Sequence, residues 1–263
     1  MHAADLEFTA VEQIAAKLGN ATRLLVVGGQ ALNFWADRYS SRVPELRARA
    51  PFTSKDVDFF GTAADVRSIA KALGGNARVA GFDDHAPQIG TVTFSDEQGI
   101  HTIDIMASLT GLDFDDVVES AVDVAYPVAN GKKIALRIMH PVLVLESRAH
   151  NVVASPKYRT THGIGQLEAS VYCAREYLRE MIASKPHAVL EWNERLYQFR
   201  TKNRVAHYVS QHYGIDVFDS VVTGPELNPI FISKRYPQML ERVNALRTNE
   251  AARRRRSKDS STP

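Results

Sequence analysis

The chain has 263 residues, of which 44% are hydrophobic and 24% charged, and a single cysteine, Cys173, excludes an internal disulfide. This is the composition of a globular protein that can bury a core, in one large domain or two smaller ones. The net charge of +2 does not indicate a polyanionic partner, and no apolar run has the length of a membrane span or a signal sequence, so we expect a soluble, cytoplasmic protein with no membrane partner.

The first elements alternate between helix and strand. Apolar residues at helical spacing predict a helix over 11–18, and a short buried strand follows over 24–27. Gly28 and Gly29 end that strand, and a helix is predicted from Gln30 to Arg38. Residues 39–55 have no periodicity and carry two prolines and four basic residues, which predicts a basic loop or a short helix within a loop. Such a loop can contact a substrate or simply lie exposed.

The next strand, 56–60, carries two carboxylates, Asp56 and Asp58, among apolar residues. Because side chains alternate along a strand, both acids are predicted on one face, where they repel each other. A hard cation such as Mg²⁺ removes that conflict, and it is commonly held by one or two carboxylates together with substrate phosphates. Taken alone, Asp-x-Asp more often marks the solvent face of a half-buried strand than a metal site.

A third acid follows in a predicted hairpin. A helix over 66–73 ends at Gly74-Gly75, a strand is predicted over 78–80, and residues 89–106 form a hairpin around the turn 96–99. The second hairpin strand contains Asp104. If this strand pairs beside residues 56–60, Asp104 joins the two acids, since facing residues on neighbouring strands lie roughly 4.5–5.5 Å apart.

The pattern changes near residue 139. A short helix over 115–121 and a hairpin over 121–138 precede it, and almost purely helical patterns follow it. The predicted domains are therefore 1–138 (mixed helix and strand), 139–250 (helical) and 251–263 (a disordered basic tail). Arg253 to Lys258 in that tail can stay solvated or contact nucleic-acid phosphates.

The order of these motifs resembles the polymerase-β-type nucleotidyltransferase superfamily, and within it the AbiEii-like toxin and minimal-nucleotidyltransferase group. The resemblance implies an α+β fold, with a nucleotidyltransferase-type mixed sheet, flanking helices and a C-terminal helical domain. It also implies a two-metal transfer of an NMP from an NTP to a hydroxyl of RNA, protein or a small molecule, with Mg²⁺ or Mn²⁺ as cofactor. The implied setting is toxin–antitoxin or defence, with a cognate antitoxin protein as partner.

The resemblance also assigns roles to residues. Asp56, Asp58 and Asp104 would be the catalytic acids and metal ligands. The residues implied in nucleotide binding are Gly28, Gly29, Gln30, Lys55 and Arg148, the last in place of a lysine of the relatives.

The sequence departs from the family pattern at one point. Where the relatives carry a later aspartate, this chain has Gln166 and Glu168. This departure keeps an alternative open, in which the chain is a catalytically inactive nucleotidyltransferase-fold protein that binds a nucleotide or a partner.

Overall fold

The computed structural model describes residues 8–18, 25–54, 56–81, 87–96, 99–127 and 133–259. Its architecture is the predicted mixed α+β type, with one sheet of seven strands, flanking helices and a helical C-terminal half. The strands are β1 (Leu25–Val26), β2 (Val57–Phe60), β3 (Asn76–Val79), β4 (Gln88–Asp96), β5 (Gly99–Met106), β6 (Val122–Pro127) and β7 (Lys133–Ile138).

The helices follow the predicted order, and most differ from it only in their ends. They are α1 (Thr9–Leu18), α2 (Gly28–Ser40), α3 (Pro44–Arg47), α4 (Ala63–Leu73), α5 (Phe114–Glu119), α6 (Pro141–Ala154), α7 (Thr161–Ile182), α8 (Pro186–Lys202), α9 (Arg204–Tyr213) and α10 (Tyr236–Asp259). The short helix α3 lies inside the predicted basic loop, where Pro44 occupies the first turn and favours the helical backbone.

The sheet has the strand order β3-β4-β5-β2-β1-β7-β6. Both predicted hairpins, β4–β5 and β6–β7, are antiparallel pairs. Strand β2 pairs antiparallel with β1 and parallel with β5, so the strand that carries Asp58 lies between the glycine turn's strand and the strand that carries Asp104.

The central strands are buried because their sequences are almost continuously apolar. Both residues of β1 are buried, and Phe59 of β2 is fully enclosed. Helix α2 packs its aromatic residues into the same core, where the indole Nε1 of Trp35 donates to the carbonyl of Met139 at 2.9 Å. The N-terminal end of α2 is thereby held against the edge of β1 and β2.

Local signals explain where several helices begin and end. A reciprocal capping box between Thr62 and Asp65 starts α4, and Gly74 ends it in the left-handed conformation. The long or broken helix predicted over 190–209 is two helices, because Asn203 is extended and its side chain accepts from the backbone N–H of Val205 at 2.8 Å.

The chain divides into two compact units, residues 1–147 and 148–263. This division falls inside α6. The predicted boundary lay near residue 139, at the predicted start of that helix. Residues 251–259, predicted as part of a disordered tail, continue helix α10, and residues 260–263 lie outside the described residues.

Candidate active site

The glycine turn lies directly against one of the predicted acids. Helix α2 begins at Gly28, which has a φ of +62°, immediately after strand β1. A Cβ at Gly28 would lie 2.9 Å from Cγ of Asp58, and a Cβ at Gly29 would lie 3.0 Å from Cβ of Ser54. Any other residue at Gly28 would be strained by the backbone angle and would displace the Asp58 side chain. The turn therefore presents its backbone beside the Asp58 carboxylate.

The same turn forms the positive end of a helix. Helix α2 has 13 residues, and the side chain of its N-cap residue, Val27, makes no capping hydrogen bond. The N–H groups of a first helical turn point along the axis, and together with the helix dipole they favour an anion such as a phosphate. Here that anion-binding end lies next to a carboxylate, which would repel a phosphate bound there, and a cation between the two would offset that repulsion.

The strand pairing brings the third acid alongside. Strands β2 and β5 run parallel, with Asp58 and Asp104 in register. The predicted placement of the Asp104 strand beside residues 56–60 is thus confirmed. The main chain reinforces the arrangement, because the N–H of Val27 donates to the carbonyl of Asp58 at 3.0 Å.

Two polar side chains of β4 hold the Asp104 carboxylate. The amide Nε2 of Gln88 donates to Oδ1 of Asp104 and, at 2.7 Å, to the hydroxyl of Thr91. The Thr91 hydroxyl in turn lies 3.4 Å from the same Oδ1. Burial of the carboxyl and the negative charge of Asp56 raise the pKa of Asp104, although both hydrogen bonds act in the opposite direction.

Asp56 lies just outside the observed strand β2. Strand β2 begins at Val57, and Asp56 is exposed in the bend before it. The predicted strand 56–60 is therefore one residue too long at its start, and the expectation that Asp56 and Asp58 share one face stays a prediction. Asp56 is still near enough to Asp104 for its charge to raise that pKa.

The three acids meet in pairs. Asp58 is in register with Asp104, and Asp56 acts on Asp104 through its charge. Within the described ranges, no group of three or more His, Cys, Asp or Glu side chains is arranged to hold a metal ion. The donor chemistry nevertheless fits a hard divalent cation, because such an ion takes one or two carboxylates and completes its shell with substrate phosphates and water.

The other predicted nucleotide contacts have varied surroundings. Gln30 is fully buried, and its side-chain oxygen accepts from Nδ2 of Asn33 at 3.3 Å. Arg148 is mostly buried in α6 and donates to Oε1 of Gln166 at 3.3 Å. Lys55 lies outside the described residues. The nucleotide-binding roles of these three residues stay predictions.

Sequence reasoning missed Gln88, Thr91 and Ser54. The signal for Thr91 was the hairpin itself, because the turn pairs Asp96 with Gly99 and counting back from it sets Thr91 opposite Asp104. Gln88 lies beyond an irregularity in that register, between Gln88 and Gly90, so the count does not reach it.

Comparison with known proteins gives distant structural matches alone. No protein-family model matches this chain, and no curated protein matches its sequence. The crystal structure of the Megavirus polyadenylate synthase matches over 82% of this chain and 44% of that one, at 13% identity and a TM-score of 0.40, so this chain spans less than half of the viral protein. The crystal structure of JHP933 from Helicobacter pylori matches over 96% of this chain and 94% of that one, at 14% identity and a TM-score of 0.37. These values decide neither family nor activity.

A helix that spans a bilayer must be long and apolar. Among the residues that the structure describes, no helix combines the length and the apolar character that a transmembrane span needs.

Proposed function

We propose that this chain is a metal-dependent nucleotidyltransferase that transfers an NMP from an NTP to a hydroxyl acceptor. The observation that carries the proposal is the contact between the Gly28 backbone and the Asp58 carboxylate, with Asp104 in register on the next strand. A backbone that can bind phosphate, next to two carboxylates, suits a nucleoside triphosphate and its cation.

The glycine turn would bind the phosphates of the NTP. Gly28 and Gly29 let the backbone of the turn lie close to Asp58 and Ser54, and the positive end of α2 favours the negative charge of a phosphate. With the β- and γ-phosphates bound at this turn, the α-phosphate lies toward Asp58 and Asp104. This placement supplies the positioning on which phosphoryl transfer depends.

The acids would hold the cation and the acceptor's proton. Asp56, Asp58 and Asp104 would be the ligands, and a bound Mg²⁺ or Mn²⁺ would neutralise charge on the transferring phosphoryl group. The acceptor oxygen forms a bond to the α-phosphorus, the bond to pyrophosphate breaks, and Asp104 accepts the hydroxyl proton. Gln88 and Thr91 keep the Asp104 carboxylate oriented for that step.

The acceptor and the biological setting are further parts of the proposal. RNA, protein or a small molecule can supply the hydroxyl. The motif resemblance to AbiEii-type toxins favours a toxin–antitoxin or defence role with a cognate antitoxin protein.

Incubation with each α-labelled NTP tests the proposal. The purified protein, with Mg²⁺ or Mn²⁺, is mixed with total RNA and cell lysate, and the products are separated on a gel. We expect label on an RNA or protein band, abolished by EDTA and reduced more than about a hundredfold by Asp58→Asn, since even supporting residues of metal sites contribute tenfold to a hundredfold.

A matched control is available on the same sheet. Asp123 of β6 is 82% exposed and lies 3.3 Å from Nε of Arg137, at the outer strand of the sheet. Asp123→Asn should leave transfer unchanged. Equal activity of Asp58→Asn and the wild type would refute the proposed site. Nucleotide binding without transfer of label from any NTP would instead favour the catalytically inactive alternative.

A further inference from the structure

Aromatic rings gather on the outer side of helix α9. The rings of Tyr208 and His212 stack with their centroids 4.0 Å apart and an angle of 19° between their planes. Tyr213 meets Tyr208 edge-on at 6.2 Å. His212 is exposed and both tyrosines are partly exposed, whereas the buried residues of this helix are Ala206, Val209 and Ser210. The stacked rings therefore do not belong to the core of the C-terminal unit.

An arginine from another segment joins these rings. The guanidinium carbon of Arg159, which follows the short turn Pro156–Tyr158, lies 5.7 Å from the centroid of Tyr208. Nε and Nη2 of Arg159 donate to the carbonyls of Val152 and Val153 at 3.0 and 2.8 Å, at the end of α6. These bonds fix the guanidinium plane while the side chain remains exposed. A preoriented cation thus lies beside an aromatic surface.

The charged residues in the two sequence stretches that carry these side chains are basic. Neither residues 151–167 nor residues 201–215 contain an aspartate or a glutamate, and the two stretches include Lys157, Lys202 and Arg204 in addition to Arg159. Glu250 of α10 faces this region through His207, and its carboxylate is bonded to Arg200 and Ser210. The surface formed by Arg159, Tyr208, His212 and Tyr213, here named the α9 patch, is therefore aromatic and positively charged.

We propose that the α9 patch binds single-stranded nucleic acid, stacking unpaired bases on Tyr208 and His212 and placing a phosphate at Arg159. Stacking platforms next to cations are how proteins hold unpaired strands, because every base offers a π-face and every nucleotide a phosphate. A duplex keeps its bases stacked on each other and offers this surface only its phosphates. This inference does not depend on nucleotidyl transfer, and the catalytic acids play no part in its test.

Fluorescence anisotropy with labelled oligonucleotides tests this assignment. The full-length protein is titrated against single-stranded RNA and DNA of about twelve nucleotides, a length that spans a typical single-strand site, and against the matching duplexes. We expect the single strands to bind more tightly than the duplexes. Tyr208→Ala should raise Kd by at least about fivefold, whereas Tyr208→Phe, which keeps the ring, should bind like the wild type.

The salt dependence of binding tests the role of Arg159. Arg159→Gln should lower the slope of log K against log salt by about 0.7, the contribution of one phosphate contact to a single strand. Arg179→Gln is the matched control, because Arg179 is an exposed arginine of the same unit that is paired with Glu176 at 2.6 Å. That variant should leave the slope unchanged. His212→Ala provides a second stacking variant at an exposed helical position if Tyr208→Ala lowers stability.

Three results would overturn the inference. The first is equal affinity for single strands and duplexes, which would mean general attraction to phosphate. The second is binding that is unaffected by Tyr208→Ala and His212→Ala but is lost when the basic residues 253–258 are replaced. The third is no measurable binding of any oligonucleotide by the wild-type protein.

Discussion

Asp104 of the N-terminal unit and the Asp216 and Glu250 carboxylates of the C-terminal unit have opposite electrostatic surroundings. In the N-terminal unit, the groups that act on Asp104 are an amide, a hydroxyl and another acid, and burial together with Asp56 raises its pKa. In the C-terminal unit, the buried carboxylates of Asp216 and Glu250 both meet the same arginine, Arg200. The chain's own arginine therefore balances the charges of Asp216 and Glu250, whereas Asp104 lies near another carboxylate, Asp56.

The C-terminal network is a structural one. Arg200 is fully buried, and its guanidinium donates to Asp216 at 2.9 Å and to Glu250 at 2.7 Å. Burial opposes ionisation of Glu250, but hydrogen bonds from Ser210, His207 and Arg200 outweigh it and lower its pKa. Such matched ions link α8, α9 and α10. Asp104, whose pKa is raised by burial and by Asp56, has the unfavourable surroundings that are typical of functional sites, where a ligand can supply the opposite charge.

Removing the central arginine should have the largest effect on stability. Arg200→Met keeps most of the side-chain volume but leaves the buried Glu250 without its arginine and Asp216 with Arg247 alone, so we expect a loss of about 3–5 kcal/mol in the free energy of unfolding. Arg179→Ala, which breaks a surface pair in the same unit, should cost less than about 1 kcal/mol. Urea unfolding followed by Trp192 fluorescence, with Trp35 replaced by phenylalanine, measures both. Equal losses would mean that the buried network adds nothing beyond a surface pair.

Gly28 and Gly74 have nearly the same φ, so their alanine variants separate the cost of backbone strain from a role in nucleotidyl transfer. Gly28 and Gly74 have φ values of +62° and +64°, but a Cβ at Gly74 would meet no atom within 4 Å. Both alanine variants should therefore lose about 1–2 kcal/mol of stability through the left-handed backbone. Only Gly28→Ala should also reduce nucleotidyl transfer, by up to about a hundredfold, because it displaces Asp58. Similar transfer rates in the two variants would argue against the Gly28–Asp58 contact as the site.

The residues that orient Asp104 should have an intermediate effect. Thr91→Val removes a hydroxyl next to the carboxylate, and we expect transfer to fall by about tenfold, the lower range for a supporting residue of a metal site. Thr93→Val is the matched control, since Thr93 lies on the same strand but pairs with Thr102. The decisive comparison is kcat with a saturating NTP. A fall in both variants alike would indicate a general effect on strand β4.

Residues of the candidate site can be predicted from the sequence where they lie in a recognisable local pattern of strand or turn. Gly28, Asp58 and Asp104 could be found because a strand, a turn and a hairpin each left a local pattern, and strand pairing then brought them together. Gln88 could not be found, because its approach to Asp104 depends on a register irregularity. The arginine network was equally hidden, since Arg200 and Glu250 are 50 residues apart and no local pattern links them.

Acid pH should change the stability contributions of Asp104 and Glu250 in opposite directions. The pKa of Asp104 is raised from its ordinary value of 3.8, so its contribution to stability is fully present below pH 3.8 and is lost as the pH rises through the folded-state pKa. The pKa of Glu250 is lowered from 4.5, so its contribution is present above pH 4.5 and is lost as the pH falls through the folded-state pKa.

Substitutions that remove each charge make this contrast measurable. In metal-free buffer at neutral pH, Asp104→Asn should be more stable than the wild type, and the difference should shrink as the pH falls toward 3.8. Glu250→Gln should be less stable at neutral pH, and its deficit should shrink once the pH falls below 4.5. Urea midpoints from pH 7 downward report both differences, and the change with pH is unaffected by any constant cost of the substitution itself. Parallel pH dependences for the two variants would mean that the acids share one kind of environment, and the contrast between a balanced and an unbalanced unit would not hold.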